Sequence, residues 1–301
     1  MTDTAPSIVA TAVVARPAAG VTSHDATPAE AAAHLEAPEY LGERHQPRWL
    51  GAALRISVPA ALFALWWWYT RPGRADPTMF ASPSAVWDAF REIQQNGQLS
   101  EFVAASAGRA FWGLLIGAGI GLVLGVAAGL TRLSEQLIDP TLNIVRAVPF
   151  LALMPLFILW FGIDERFKIV LIATATSLPM YGYAYLGVRN VDRKVVEAAR
   201  GFGLRGPRLV AKVIIPSALP NILMALRICL ALTMTALIIA EGIGTDKGIG
   251  YLVLLGKQYY RTDYMFLSIV LYAVLGVVFD VLVRIVERLA MPWRRHTTIR
   301  G

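Results

Sequence analysis

The sequence predicts an all-α membrane protein with six transmembrane helices. Hydrophobic residues make up 56% of its 301 residues and charged residues only 16%, against roughly a quarter charged in a soluble domain. Six apolar runs reach the roughly 20 residues that a spanning helix needs. Many of the eight Trp residues stand near the ends of those runs, where amphipathic rings favour the membrane interface.

Residues 1–48 are rich in Ala, Pro and Thr without a sustained period, and the expectation there is a disordered cytoplasmic tail. The apolar, membrane-spanning region runs over 49–295, with its core at 103–290, and a short cytoplasmic tail follows at 296–301. The first span is Leu50 to Tyr69, interrupted by Arg55, whose stem can snorkel. The second is Val103 to Leu130, free of charge from Ala110 onward. Leu142 to Phe161 is the third and carries Arg146, Pro149 and Pro155. Ile169 to Val188, the fourth, has no charge. Ile214 to Ala240, the fifth, contains Arg227, and Met265 to Ala290, the sixth, is apolar as far as Asp280.

Basic residues near the span ends set the orientation. With the N-terminus inside, the segments 131–140 and 189–212 and the tail from Met291 are cytoplasmic. They hold Arg132, Arg189, Arg193, Lys194, Arg200, Arg205, Arg208, Lys212, Arg294, Arg295 and Arg300. On the other side basic residues stand beside acids, as in Asp164-Glu165-Arg166 and Arg261-Thr262-Asp263. Both termini are expected in the cytoplasm. The formal charge of +7 is therefore read as a membrane-face excess, with no nucleic-acid partner. Cys229 is the only cysteine, and His24, His34, His45 and His296 lie in the tails without ligand spacing, so no metal site is expected.

In the second span Gly113, Gly117, Gly121, Gly125 and Gly129 recur every fourth residue. Such a stripe lets two helix backbones approach closely in lipid, where packing drives association. A tight helix contact is the expectation, and a direct place in a pathway the alternative.

The segment VVEAARGFGLRGPRLVAKVIIPSALP, 195–220, contains G-x-G-x-x-G at Gly201, Gly203 and Gly206. A dinucleotide turn needs a strand before the glycines and a ribose-binding acid after them; neither is present. Gly242 to Gly248 has the wrong spacing, and no G-x-x-x-x-G-K-[ST] occurs, so the chain has no P-loop of its own. The physical reading is helix, glycine break, helix. Gly203 can adopt φ > 0 at a sharp turn, Pro207 can begin a helical piece, and Pro216 and Pro220 re-aim the chain into the fifth span.

This segment resembles the EAA loop of ABC importer permeases. Glu197, Ala198 and Ala199 match the family's E-A-A; Gly203 follows after three residues and Val213-Ile214-Ile215-Pro216 after nine more. The likeness extends from about Ser82 to Arg295. It includes Ala81 to Trp87, Arg146-Ala-Val-Pro149, Pro155 to Ile163, Ala240-Glu241, Gly248-Ile-Gly250-Tyr-Leu, and Asp280…Arg284…Glu287-Arg288…Trp293. These segments are similar to the sulfonate, taurine, nitrate and bicarbonate permeases, the aliphatic sulfonate permease most of all. Pro179 to Tyr185 stands where that subgroup carries an Asn-Thr pair before Gly187.

The resemblance implies a type I (MetI-like) ABC importer permease fold in a bacterial inner membrane, with a cytoplasmic coupling helix at Glu197, Ala198, Ala199, Gly203 and Pro216. It also implies a second permease copy, two cytoplasmic ATPase subunits and an extracytoplasmic substrate-binding protein. ATP and Mg would lie on the ATPase subunits, so this chain would need no cofactor and would be no enzyme. A small organic anion, first of all an aliphatic sulfonate, is the substrate implied. A self-sufficient secondary transporter or channel is the remote alternative.

Ionisable groups within spans are functional candidates. Arg146 and Arg227 can meet an anion in a pathway; alternatively they snorkel or pair with Asp139 or Asp280. Asp280 and Arg284, spaced i, i+4, are expected to pair. Glu241 closes the fifth helix at the outer surface, as a gate, as a contact for a binding protein, or as a solvated helix end. Thr174, Thr176, Ser177, Tyr181 and Tyr185, with Thr233 and Thr235, can line a polar pathway or serve as helix contacts.

Overall fold

The computed structural model describes residues 48–291, with side chains from Ser57 onward. The expected tails, with their histidines and Arg294, Arg295 and Arg300, lie outside the described residues. The chain divides into two units, residues 1–60 and 61–301; the described part of the first is the opening of one helix.

That helix, α1 (Arg48–Tyr69), covers the first expected span. α2 (Pro83–Gln95) is short and amphipathic. Ser82 caps it, its Oγ accepting from the Ala85 amide at 3.2 Å, with Pro83 at the first turn. Val86, Ala89 and Ile93 on one face are buried. α3 (Gln98–Leu130) is the second span, and Thr131 starts α4 (Arg132–Ala147) by accepting from the Ser134 amide.

The third expected span is broken. α4 stops at Ala147, a short 3-10 turn covers Phe150–Leu153, and α5 runs from Met154 to Phe161, with an 82° bend across the break. Pro149 explains it: it has no amide hydrogen to donate, and it forces Val148 into extended backbone at φ −83°, ψ 118°. Pro155 then stands in the first turn of α5, where proline is tolerated.

α6 (Glu165–Arg189) is the fourth span, begins ahead of the expected Ile169, and so includes Glu165 and Lys168. α7 (Arg193–Gly201) and α8 (Gly206–Leu209) follow. A π turn at Val210–Ile214 leads into α9 (Ile215–Glu241). In that turn the Ile215 amide donates to the Val210 carbonyl, one residue beyond the α-helical partner. From Gly206 to Glu241 the helix is continuous over 36 residues. α10 (Ile249–Gln258) and α11 (Thr262–Ala290) complete the chain.

Among the described residues four helices are long and apolar enough to cross a membrane, α3, α6, the Gly206–Glu241 helix and α11, or five if the bent α4–α5 pair is one span. The core is shared by α3, α6, α9 and α11, with Ala110, Ile172, Ala184, Ala225, Cys229, Leu237 and Phe279 buried together. Leu115, Ile120, Val123, Val277 and Leu282 face outward, as lipid-facing residues do when no water drives them inside.

α3 lies against α6 along its glycine stripe. A Cβ built at Gly113 would strike Ile172, at Gly117 Ala173 and Thr176, at Gly121 Ser177 and Met180, at Gly125 Tyr181 and Ala184, and at Gly129 Val188. Backbone meets backbone along five turns. Gly119, off the stripe, has nothing within 4 Å.

Candidate functional site

Two regions gather functional side chains: the exposed segment between α6 and α9, and a buried polar cluster at the far end of α9.

In the exposed segment Asp192 caps α7 by accepting from the Lys194 amide at 2.9 Å. α7 places Glu197 and Ala198 outward and Ala199 inward. The chain turns at Gly203, φ +82°, and at Gly206, φ +54°; the Gly203 amide donates to Arg200 and the Leu204 amide to Ala199, which closes the C-terminus of α7. Nothing lies within 4 Å of a Cβ at Gly203, so its requirement for glycine is conformational rather than steric. Phe202, at the tip, is 88% exposed. Its ring stands beside the exposed Glu197 and Ala198. Pro216 stands in the first turn of α9, not at its breaking point.

At its other end α9 terminates at Glu241, and here the expectation of a surface residue is overturned. Glu241 is fully buried. Its carboxylate accepts from Ser106 Oγ at 2.6 and 2.9 Å, from Arg109 Nη1 at 2.6 Å, from the Gly250 amide at 2.8 Å and from Tyr272 Oη at 2.8 Å. Ser106 Oγ in turn accepts from the Ile249 amide at 2.8 Å. Arg109 forks onto Glu165, Nε to Oε2 and Nη2 to Oε1, both at 2.6 Å, and also reaches the Lys247 carbonyl. Lys168 donates to Glu165 and to Thr245 Oγ1, each at 3.2 Å. α3, α6, α9, α10 and α11 thus meet at one satisfied network, and among the described residues no buried side-chain polar atom lacks a partner. Burial of ions in this setting demands such full pairing. Gly248, at φ +124°, passes so close that a Cβ would sit 2.5 Å from Arg109 Nη1. With every acid and cation engaged, the cluster fastens helix ends together.

Sequence reasoning missed Ser106, Arg109, Glu165, Lys168 and Tyr272. Arg109 stands at the head of the apolar run, and its partners are 56 and 132 residues away; the signal was one cation at a span edge opposite the Asp164-Glu165 pair.

The remaining candidates are spread out. Arg146 is near the end of α4, before the break rather than inside a spanning helix, and its guanidinium lies over Gly182 of α6. Asp139 accepts from Tyr181 Oη at 2.9 Å, and Glu135 from Tyr185 Oη at 2.6 Å while pairing with Arg189 at 3.1 Å. Thr174 and Ser177 donate to carbonyls of their own helix, Val170 and Thr174. Thr176, Thr233 and Thr235 do likewise. Arg227 pairs with Glu287, not Asp280; Asp280 pairs with Arg284 at 2.6 Å. Among the described residues no three His, Cys, Asp or Glu side chains gather as metal ligands.

On the loop before α11, Arg261 grips Asp263 at 2.7 Å and Glu92 of α2 at 2.8 Å, and Tyr264 Oη donates to Glu92 at 2.9 Å. The Arg261 hydrogen bond, then that from Tyr264, holds the Glu92 carboxyl below its usual range.

Residues 117–291 match the family described as "Binding-protein-dependent transport system inner membrane component". The chain is 41% identical over 246 residues to the putative aliphatic sulfonates transport permease protein of Escherichia coli, covering 82% of this chain and 94% of that one. Its identity to the Bacillus subtilis protein of the same description is 38% over 239 residues, 79% of this chain and 87% of the other. To the taurine transport system permease protein of Escherichia coli it is 31% over 245 residues, 80% and 89% of the two chains. A crystal structure of an amino acid ABC transporter with histidines shares the fold, with a TM-score of 0.54 over 66% of this chain and 97% of that one at 20% identity. An all-helical, multi-pass chain with a glycine-seamed helix pair and this family match over more than half its length belongs to the binding-protein-dependent inner membrane components, the permease subunits of ABC importers.

Proposed function

We propose that this chain, as one of two identical copies, forms the pathway through which an aliphatic sulfonate crosses the bacterial inner membrane. A binding protein delivers the anion from outside, and two separate ATPase subunits that carry ATP and Mg drive the cycle. In this reading α1 is a sixth span, 49–295 is the permease domain, and 1–48 and 296–301 are cytoplasmic tails. The relatives described as aliphatic sulfonate permeases, at 38–41% identity, support the substrate; the taurine permease at 31% makes that smaller sulfonate the second reading.

The observation that carries the mechanism is the exposed α7 turn. Glu197, Ala198 and Phe202 stand free of the core, and two left-handed glycines fix their angle to the helix beyond. This is the surface on which an ATPase subunit would seat. Closure of the two ATPases would draw the two turns together, and the permease would pass between inward- and outward-open states that its partners bias. Arg146, Tyr181 and Arg227 remain the pathway candidates, while the hydroxyls of Thr174 and Ser177 already serve their own helix.

Gly203→Val in the full complex tests this. A β-branched residue resists φ +82°, so stimulation of ATP hydrolysis by ligand-loaded binding protein is expected to fall at least about tenfold while membrane insertion stays normal. Unchanged stimulation would overturn the assignment of the turn. Uptake of labelled ethanesulfonate against taurine by cells carrying the intact system separates the two substrates.

A further inference from the structure

The ends of α1 and α11 come together with α2 in an arrangement that the transport cycle does not use. Trp66 stacks on Phe266 at 5.9 Å and donates its indole N–H to the Ala81 carbonyl at 3.0 Å, so the C-terminal end of α1 and the N-terminal end of α11 share one face of the membrane. Between the three helices opens an apolar groove of about 660 Å³ whose walls include Phe63, Trp66, Val86, Trp87, Leu271 and Val274. Pro83 also lines it. On the other side of Pro83 lies a second space, about 440 Å³, lined by Trp67, Thr70, Arg71, Pro72, Ser82 and Ser84. The first space is almost wholly apolar and the second carries a guanidinium and three hydroxyls. No acidic residue lines either.

The charges around them are unusual. Arg71 lies over the Trp67 ring at 4.7 Å, Arg74 over Trp68 at 4.0 Å and Arg91 over Trp87 at 5.3 Å. Among the described residues none of these three guanidiniums pairs with a carboxylate, whereas Arg109, Arg261 and Arg284 all do. Two of these cations stand at the two spaces, Arg71 in the wall of the second and Arg91 over the Trp87 ring that lines the first, at the level where tryptophans mark the interface.

The length of the groove completes the match. Below Val270 and Val274 the apolar surface continues on α11 through Ala273 and Val277 to Val278. From Leu267 to Val278 the helix rises about 16 Å at 1.5 Å per residue, close to half of the roughly 30 Å hydrocarbon thickness. A cationic, hydroxyl-lined pocket next to an apolar groove about one leaflet deep suits a single phospholipid, since Trp67, Ser82 and Ser84 of the one adjoin Trp66 and Pro83 of the other in the chain. We propose that an anionic phospholipid occupies this site, its phosphate in the Arg71–Ser82–Ser84 pocket and one acyl chain in the groove along Trp87, Leu271 and Val274. The proposal depends on the chain being embedded in a bilayer and not on which substrate it carries. A second copy of the chain seated in the groove is the competing occupant, and Arg71 and Arg91, neither paired with a carboxylate, favour the lipid.

The test uses the full transporter complex purified in detergent. It is exposed to equal amounts of phosphatidylglycerol and phosphatidylcholine, and retained lipid is counted by native mass spectrometry. One phosphatidylglycerol per permease chain should remain, in at least fivefold preference to phosphatidylcholine. Val270→Trp, which fills the groove, and Arg71→Ala should each reduce retention at least fivefold, with Arg71→Lys close to wild type. Ile120→Trp, on the opposite lipid-facing surface, controls for general effects on folding. Equal retention of the two lipids, or retention unchanged by Val270→Trp in a complex that still assembles, would overturn the proposal. So would disulfide formation between two Val270→Cys chains in membranes, which would place a second copy in the groove.

Discussion

The Arg109 guanidinium and the Glu241 carboxylate meet at 2.6 Å with both side chains closed to solvent. Removing one partner of such a pair leaves an uncompensated buried charge, at a cost of about 3–5 kcal/mol. Arg109→Ala is therefore expected to lower the unfolding temperature of the purified permease steeply and to reduce its amount in membranes. Glu241→Gln keeps the shape and can still accept from the Gly250 amide and Tyr272, so it should be the milder change. Fluorescence-detected thermal unfolding of the two variants checks the order, and equal effects would show that the charge of Glu241, rather than its shape and remaining hydrogen bonds, carries the stabilisation.

The glycine seam between α3 and α6 makes a sharper comparison. A methyl group at Gly121 meets the Ser177 carbonyl and Met180, whereas one at Gly119, two residues away, meets nothing. Gly121→Ala should destabilise by about 1–3 kcal/mol through overpacking, while Gly119→Ala should be neutral or slightly stabilising through helix propensity. Thermal unfolding of the two variants side by side decides whether the seam is as tight as its geometry.

Arg227 offers a test of pathway against packing. Its contact with Glu287 is partly exposed on both sides, and such pairs contribute about 0–1 kcal/mol. Arg227→Gln should leave the unfolding temperature nearly unchanged. A fall in uptake of more than about tenfold with stability intact would place Arg227 on the route of the anion. Normal uptake would make it a helix-surface contact only.

The Glu92 hub gives a pH signature. Its carboxyl is depressed in the fold, chiefly by Arg261, so the stabilisation is present above the unfolded value of about 4.3 and is lost as pH falls through the lower folded value. Wild type should exceed Glu92→Gln in unfolding temperature at pH 7, and the difference should close below about pH 4. A difference that is constant from pH 7 to pH 3 would refute the charge-based account.

The sequence was most legible where one helix suffices to explain the pattern. Apolar length found α1, α3, α6, α9 and α11, and the fourfold glycine spacing marked the face of α3 that meets α6. Pro149 and Pro155 both stand inside the third run, whose apolar length alone suggests one span, but the amide hydrogen missing at Pro149 divides it into two helices. Glu241 was misplaced for a different reason. Its position at a helix end suggests water, and only the return of α10 over that end, with Gly250 and Tyr272, seals it. A buried ion network is written across five distant segments, none of which carries the pattern alone.

The helix from Gly206 to Glu241 has a consequence for how force travels. At 1.5 Å per residue it is about 54 Å long, and it is uninterrupted except for the widened turn at Val210–Ile214. One extremity begins at the exposed glycine turn; the other is bolted to α3, α10 and α11 through a single carboxylate. Such a rod cannot swing freely about its outer extremity. Work done on it from the glycine turn would appear as torsion along its axis or be absorbed at the one turn whose amide already bonds one carbonyl further back. In the proposed cycle the π turn would be the shock absorber of this helix, and its stiffness would set how much of a partner's stroke survives to the far side.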